Sequence, residues 1–443
     1  MGSTAATPVL RSIRPEYRPH GPDPLRTLFR QRFPAFQASY EQRYAAFFGK
    51  FRLPLISRAA FAFRLCGDWS QGIARIRCPD CGYDLFRPFS CKSFFLCASC
   101  AQKRTLLLGE YLSENLLLCL PHRQFVWTIP KVLRVFLRHD RQLFADIGRL
   151  LYDILTIFFT QAAGRSIRTA MVSSHQTFGE FAAWHPHWHA IVLEGGFDSH
   201  DRFFFIPLGA NETLSVIWRR SVVALFLSKG LLNPDFAGKL LSWRHSGFSI
   251  QSETRIYDQE SRQALSQYIV RPTLSLEKIH WDEEQDTVTW KSCASGYFRG
   301  REKHFSALDF IAQLTLHIPP RGRHLVRRYG LYSSRARGTW KDHPALCTRA
   351  PVHWYGRQAA EPPTPTGAPK DQAQGGPLHR QVSTRSSSKA WARLLAKVHE
   401  LDVMACPRCA SRMDVIAAIL DPAEIRKIIN CLASHGRGPA TAR

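Results

Sequence analysis

The stretch WHPHWHAIVLEGGF, residues 184–197, decides how this chain is read. His187 and His189 stand one residue apart, the continuation Ala190 to Leu193 is apolar, and Gly195 and Gly196 close the run. Residues i and i+2 of a strand face the same side, so if the pair lies on a strand both imidazoles reach one cation from a rigid sheet. Spacing alone is weak ground for that reading, because the chain holds 18 histidines.

A second element gives the pair a use. RQALSQYIVRPTL, residues 262–274, predicts a helix that stops at Pro272, with Tyr268 near its C-terminal end. A tyrosine in a last turn ordinarily packs and leaves its hydroxyl at the surface. Opposite a metal, its phenolate is instead a nucleophile toward a phosphodiester. Arg271, three residues on and on the same face, is placed to hold the adjacent phosphate. The third metal ligand stays open among His185, Gln176, Gln263 and Gln267; His185 qualifies only if the strand continues through Pro186, which has no N–H for a central ladder. Imidazole plus oxygen ligands suit Mg2+ or Mn2+ as the catalytic ion.

Upstream lies RCPDCGYDLFRPFSCKSFFLCASC, residues 77–100. Cys78 with Cys81 and Cys97 with Cys100 form two C-x2-C knuckles fifteen residues apart, a spacing that suits one tetrahedral, structural Zn2+. Cys66 and Cys91 flank it and leave room for a second metal or for ligand exchange. Basic residues with Phe86, Phe89, Phe94 and Phe95 interleaved read either as a nucleic-acid surface or as a small core. CPRC at 406–409 is half a site, with Cys431, His399 and His435 as its candidate partners. Cys119, Cys293 and Cys347 stand alone and read as ordinary small residues.

The whole chain of 443 residues carries 60 Lys and Arg against 35 Asp and Glu, a net charge of +25. Such a surplus favours a polyanionic partner through counterion release, with nucleic acid foremost. No run approaches the ~18 apolar residues of a membrane-spanning helix, and Met1 to Leu10 lacks a signal-peptide core. The expected location is the cytoplasm, at the nucleoid when DNA is bound. Helical spacing over Leu133–Ala163 and strand-like runs at Met171–Phe178 and Trp188–Leu193 give an α+β class. The expected organisation is an N-terminal helical segment over 1–50, a zinc-binding domain over 51–105 and a catalytic domain over 106–345. A Pro/Gly/Ser-rich flexible linker over 346–388 and a small helical tail over 389–443 follow.

At these residues the chain resembles the HUH endonucleases, and within them the rolling-circle transposases of the insertion sequence 91 family. The resemblance is carried by the cysteine stretch, PHRQFVWTIPKVLR, WHPHWHAIVLEGGF, ALSQYIVRPTLSLEKI and LTLHIPPRGRHLVRRYGLYSSRARG, in that order from about Arg77 to Gly338, and by CPRCASRMDVIAAI in the tail. It implies an antiparallel sheet with flanking helices behind a zinc-binding domain. It implies His187 and His189 as the catalytic metal pair, Tyr268 as the residue that forms a 5′-phosphotyrosine, and Cys78, Cys81, Cys97 and Cys100 as zinc ligands. The expected activity is nicking and transfer of single-stranded DNA, acting on transposon ends and target DNA. Founding members carry two tyrosines four residues apart, whereas Ala264 stands four before Tyr268, so this chain resembles a single-tyrosine type. The alternatives are a plasmid replication initiator or mobilisation relaxase with the same chemistry, and a non-catalytic zinc-containing DNA-binding protein.

Overall fold

A computed structural model describes residues 23–354 and 406–434, apart from Phe94, 209–211, 244–246, 257, 259–260, 263–264, 267–274, 293–298 and 352, and apart from the side chains of 252–254. Tyr268, Arg271, Gln263, Gln267, Cys293, His399 and His435 lie outside these residues.

The first long helix, α1 (Pro24–Arg43), starts where Asp23 caps the N–H of Arg26, with proline at its first position. Leu25, Leu28, Phe29, Phe33, Phe36 and Tyr40 all fall on one face, and all are buried. They pack against α2 (Leu53–Arg64) in a core that also takes in Leu96, Cys97 and Cys100. This core includes residues far along the chain: β9 (Ile279–Asp282), β10 (Thr287–Lys291) and β11 (Glu302–Ser306), a three-stranded sheet, and the helix Ala307–Thr315 behind it. Next to it, β1 (Ile73–Arg77) pairs with β2 (Asp84–Pro88) on one side and with β13 (Asp414–Ile419) on the other. The helix α3 (Ala98–Tyr111) leads out of this region.

A second body of the chain is a five-stranded antiparallel sheet in the order β12 (Val326–Gly330), β4 (Ala170–Phe178), β5 (Trp184–Leu193), β3 (His122–Thr128), β8 (Ser249–Ile256). One face of β5 presents Trp188, Ala190 and Val192 to a core built with α4 (Lys131–His139), α5 (Leu143–Ala163) and α6 (Glu212–Ser228). The helical spacing over Leu133–Ala163 thus resolves into two helices, parted at Asp140, whose carboxylate accepts from the Gln142 N–H. The other face presents Ile191 and Leu193 to a separate core with Val172, Leu265, Tyr332 and Trp340. Burial on both sides is why Ala190–Leu193 reads as an unbroken apolar run rather than an alternating one.

Two punctuation marks in the sequence gain a physical reason. Gly195 sits at φ +124°, and a Cβ there would come 1.9 Å from the carbonyl oxygen of Phe204, on the short strand β7 (Phe203–Phe205) that pairs with β6 (Gly195–Phe197). Only glycine fits so close an approach. Pro186 stands inside β5 after all, because the β4 ladder is irregular between Gln176 and Phe178 and the β3 ladder ends at Thr128 opposite His187. No ladder hydrogen bond is asked of it, so the strand reaches back to Trp184.

Candidate functional site

The face of β5 that carries Ile191 and Leu193 carries His189, His187 and His185 at its other end. The rings of His187 and His189 are 4.9 Å apart between centroids, and those of His185 and His187 5.2 Å. The His187 Nδ1–H donates to the carbonyl oxygen of His185 at 2.7 Å. A carbonyl only accepts, so the proton is on Nδ1 and the lone pair of Nε2 is left for a ligand. Burial lowers the pKa of His187, opposed by that hydrogen bond and reinforced by Arg134. Burial likewise takes His185 down to about 4, with Arg134 and His187 acting in the same direction. Neutral imidazoles at the centre of a sheet are the donor set a divalent cation requires, and the pair fits one.

Gln176 on β4 stands directly across from His187, and Ser174 across from His189. Cross-strand partners share a face, so of the four open candidates for a third ligand the sheet brings His185 and Gln176 to the pair. Among the described residues no third His, Cys, Asp or Glu closes on His187 and His189. Arg134, on α4, faces the histidines electrostatically and was not singled out in the sequence; its position after the Ile129-Pro130 turn was the available signal. Ten residues before Tyr268 in the sequence, the Asp258 carboxylate accepts from the N–H and hydroxyl of Ser261. Leu265 packs into the core on the histidine face, and Ser266 is fully buried. Tyr268 is two residues further on.

Beside Gln176 opens a cleft of about 710 Å³. Its walls are α3 and the loop before it, the end of β4 that runs past its pairing with β12, and the His317–Leu325 segment ahead of β12. Lys92, Arg104, Arg141, Arg321, Arg323 and Arg327 line it, with no carboxylate, and Phe95, Tyr111, Phe144 and Phe178 supply ring faces. Burial lowers the pKa of Arg141 to about 9, with Arg52 and Arg138 adding to the effect. An anion in the cleft relieves that crowding of positive charge. Of the basic-aromatic stretch around the cysteines, Lys92, Arg104 and Phe95 therefore face the cleft, whereas Phe89 lies on the surface near Gly72 and Phe86 under Arg75.

The cysteines do not group as their spacing suggests. Cys78 and Cys81 are not joined by Cys97 and Cys100; the six upstream cysteines divide between two quartets. The first holds Cys66, Cys91, Cys97 and Cys100, with Cys66 Sγ 3.7 Å from Cys97 Sγ and 3.7 Å from Cys100 Sγ. The second holds Cys78, Cys81, Cys406 and Cys409. The reason is the β1–β2 hairpin, which separates the knuckle at its turn from Cys91, Cys97 and Cys100 beyond its far end. The flanking Cys66, at the end of α2, completes the first quartet, and the tail CPRC completes the second in place of Cys431 or a histidine. Cys119 is exposed and Cys347 packs at the edge of a core.

No helix among the described residues is long and apolar enough to cross a membrane. The chain matches the family model described as a putative transposase over residues 170–339 and that of a transposase zinc-binding domain over residues 35–129, together more than half its length. It is 23% identical over 303 residues to the transposase for insertion sequence element IS801 of Pseudomonas savastanoi pv. phaseolicola, covering 65% of this chain and 70% of that one. No solved structure matches it. The zinc-binding match takes in the first cysteine quartet and half of the second, so structural zinc is the metal these thiols suit. The putative-transposase match takes in β4, β5, β8 and β12 with the histidine pair. With both domains in this order, and an insertion-sequence transposase as relative, the chain belongs to the insertion sequence 91 family of transposases.

Proposed function

We propose that this transposase nicks and transfers single-stranded DNA in rolling-circle fashion, through a 5′-phosphotyrosine at Tyr268 assisted by a divalent cation at His187 and His189. The observation that carries the reading is the shared face. The histidine pair and the buried Leu265, three residues before Tyr268 in the sequence, are on one side of the central strand. Mg2+ or Mn2+ held by the imidazoles and by an oxygen of Gln176 would supply Lewis-acid polarisation of the scissile phosphate.

The chain's own residues do the rest. The cleft beside Gln176 takes the sugar-phosphate strand on its arginines and its bases on Phe95, Tyr111 and Phe178, and delivers it past the end of β4 to His187. The Tyr268 oxygen, losing its proton, bonds to phosphorus as the bond from phosphorus to the 3′ oxygen breaks. The 3′ oxygen leaves with a proton as a free hydroxyl, and the phosphate stays on the 5′ side. A second 3′-hydroxyl reverses the step and joins the strand to a new end without ATP. Arg271 steadies the adjacent phosphate. With Ala264 four residues before Tyr268, one phosphotyrosine forms at a time.

The test is mapping of the peptide covalently bound to DNA after incubation with a single-stranded transposon-end oligonucleotide and Mn2+. The expected adduct is on Tyr268, absent in Tyr268→Phe and after chelation of the metal. An adduct formed by Tyr268→Phe, or binding without cleavage at any metal concentration, would falsify the assignment.

A further inference from the structure

We propose that Cys78, Cys81, Cys406 and Cys409 form a second zinc site, distinct from the Cys66–Cys91–Cys97–Cys100 site, and that it clasps the chain's tail to its N-terminal region. This inference does not depend on the chemistry at Tyr268.

Cys78 Sγ lies 3.5 Å from Cys409 Sγ and Cys81 Sγ 3.3 Å from Cys406 Sγ, and all four sulfurs fall within 4.8 Å of one another. Thiolates about 2.3 Å from a tetrahedral zinc stand roughly 3.8 Å apart, so the quartet is near the shape the ion imposes. The two halves are also built alike. In the first, the Cys78 N–H donates to Tyr83 O, the Gly82 N–H donates to Cys78 O, and Gly82 sits at φ +70°. In the second, the Cys406 N–H donates to Ser411 O, the Ala410 N–H donates to Cys406 O, and Ala410 sits at φ +59°. Both place a left-handed residue directly after the second cysteine. Glycine does this freely, whereas alanine does it at a cost of about 1 kcal/mol. An alanine held there marks CPRCA as a ligand-bearing knuckle, with Arg408 N–H directed at Cys406 Sγ at 3.4 Å.

Apolar burial does not account for the docking. The local core contains four buried residues, Ile76, Cys78, Cys406 and Met413, and β13 leaves Val415 and Ile416 about half exposed. What joins the tail is the β1–β13 ladder and the quartet. Two-knuckle sites bind metal and fold together, so the ion supplies what so small a core lacks. The paired cysteines are 325 and 331 residues apart in the chain, and closing the clasp also brings the helix Pro422–Ser434 against the Trp69–Gln71 turn.

Zinc content of the full chain, purified under reducing conditions and measured by native mass spectrometry and elemental analysis, tests this. Two zinc ions per chain are expected, falling to one in Cys406→Ser/Cys409→Ser, to one in Cys78→Ser/Cys81→Ser, and to one in the variant carrying all four changes. In the tail variant, hydrogen exchange should quicken at Asp414–Ile419 and Ile73–Arg77 while Ala98–Tyr111 stays protected. One zinc in the unmodified chain, two in the tail variant, or disulfides joining the four cysteines would each overturn the proposal. Cobalt titration of the unmodified apo-chain gives a check free of variants: the thiolate charge-transfer band should saturate at two equivalents, and saturation at one refutes the clasp.

Discussion

Removing Arg321, Arg323 and Arg327 together should flatten the salt dependence of single-strand binding by a calculable amount. Six cations line the cleft, and no carboxylate offsets them. Each single-strand phosphate neutralised adds about 0.7 to the slope of log affinity against log salt, so full occupancy predicts a slope of about −4 and the triple alanine variant about −2. From about 50 to 200 mM salt the unmodified chain should lose roughly 300-fold in affinity and the variant roughly 20-fold. The assay is fluorescence anisotropy of a labelled oligonucleotide titrated in KCl steps, in a Tyr268→Phe background so that no strand is cut. Arg321 and Arg323 are exposed and Arg327 is half-buried on β12, and none of the three belongs to a hydrophobic core, so folding should survive the changes. A variant whose slope equals that of the unmodified chain would refute the path, however much affinity it had lost.

Three further expectations follow from the packing. Burial lowers His122 and His175 to about 3 and His185 and His317 to about 4, so the unfolded chain binds more protons below about pH 6.5. Stability should therefore fall as the pH drops from about 6.5 toward 4, each histidine adding up to about 1.4 kcal/mol per pH unit in that window; a urea midpoint constant from pH 7 to 4.5 would contradict it. Gly195→Ala should destabilise by at least about 2 kcal/mol, since its Cβ meets Phe204 O, whereas Gly238→Ala, on a helix with nothing within 4 Å, should be neutral or stabilising; equal urea midpoints would show the approach to be looser than described. Gln176→Ala should weaken Mn2+ binding about 10- to 100-fold by calorimetry with little change in melting temperature, and unchanged affinity would remove Gln176 from the ligand set.

Much of this architecture is legible in the sequence. The helix from about Pro24 is legible in the helical spacing of Leu25, Leu28, Phe29 and Phe33; its Asp23 cap comes from the structure. Asp421 and Pro422, an N-cap and first-turn pair in the sequence, open the last helix, where the Asp421 carboxylate accepts from Ala423 and Glu424 N–H groups. The β5 strand was visible as a period-2 pattern running into an apolar stretch, although its start was placed four residues late because a proline inside a central strand argues against pairing. The β9–β11 sheet gave no such signal: its strands are short, and its outward residues are charged or polar. They gain stability from α1, some 250 residues away, through contacts such as Arg32 with Asp286 at 2.7 Å.

The sequence by itself determined the local chemistry: which histidines share a strand face, which turns present a thiolate pair, and where the last helix opens. These follow from periods and dihedral preferences that act over a few residues. Only the tertiary structure decided which groups meet. A C-x2-C knuckle is chemically the same whichever knuckle it faces, and the entropy of closing a loop grows only as the logarithm of its length. A partner fifteen residues away holds an advantage of about 2.6 kcal/mol over one more than three hundred away, which the packing of the folded chain outweighs. The β1–β2 hairpin, by separating Cys78 and Cys81 from Cys97 and Cys100, settled that choice in favour of the tail.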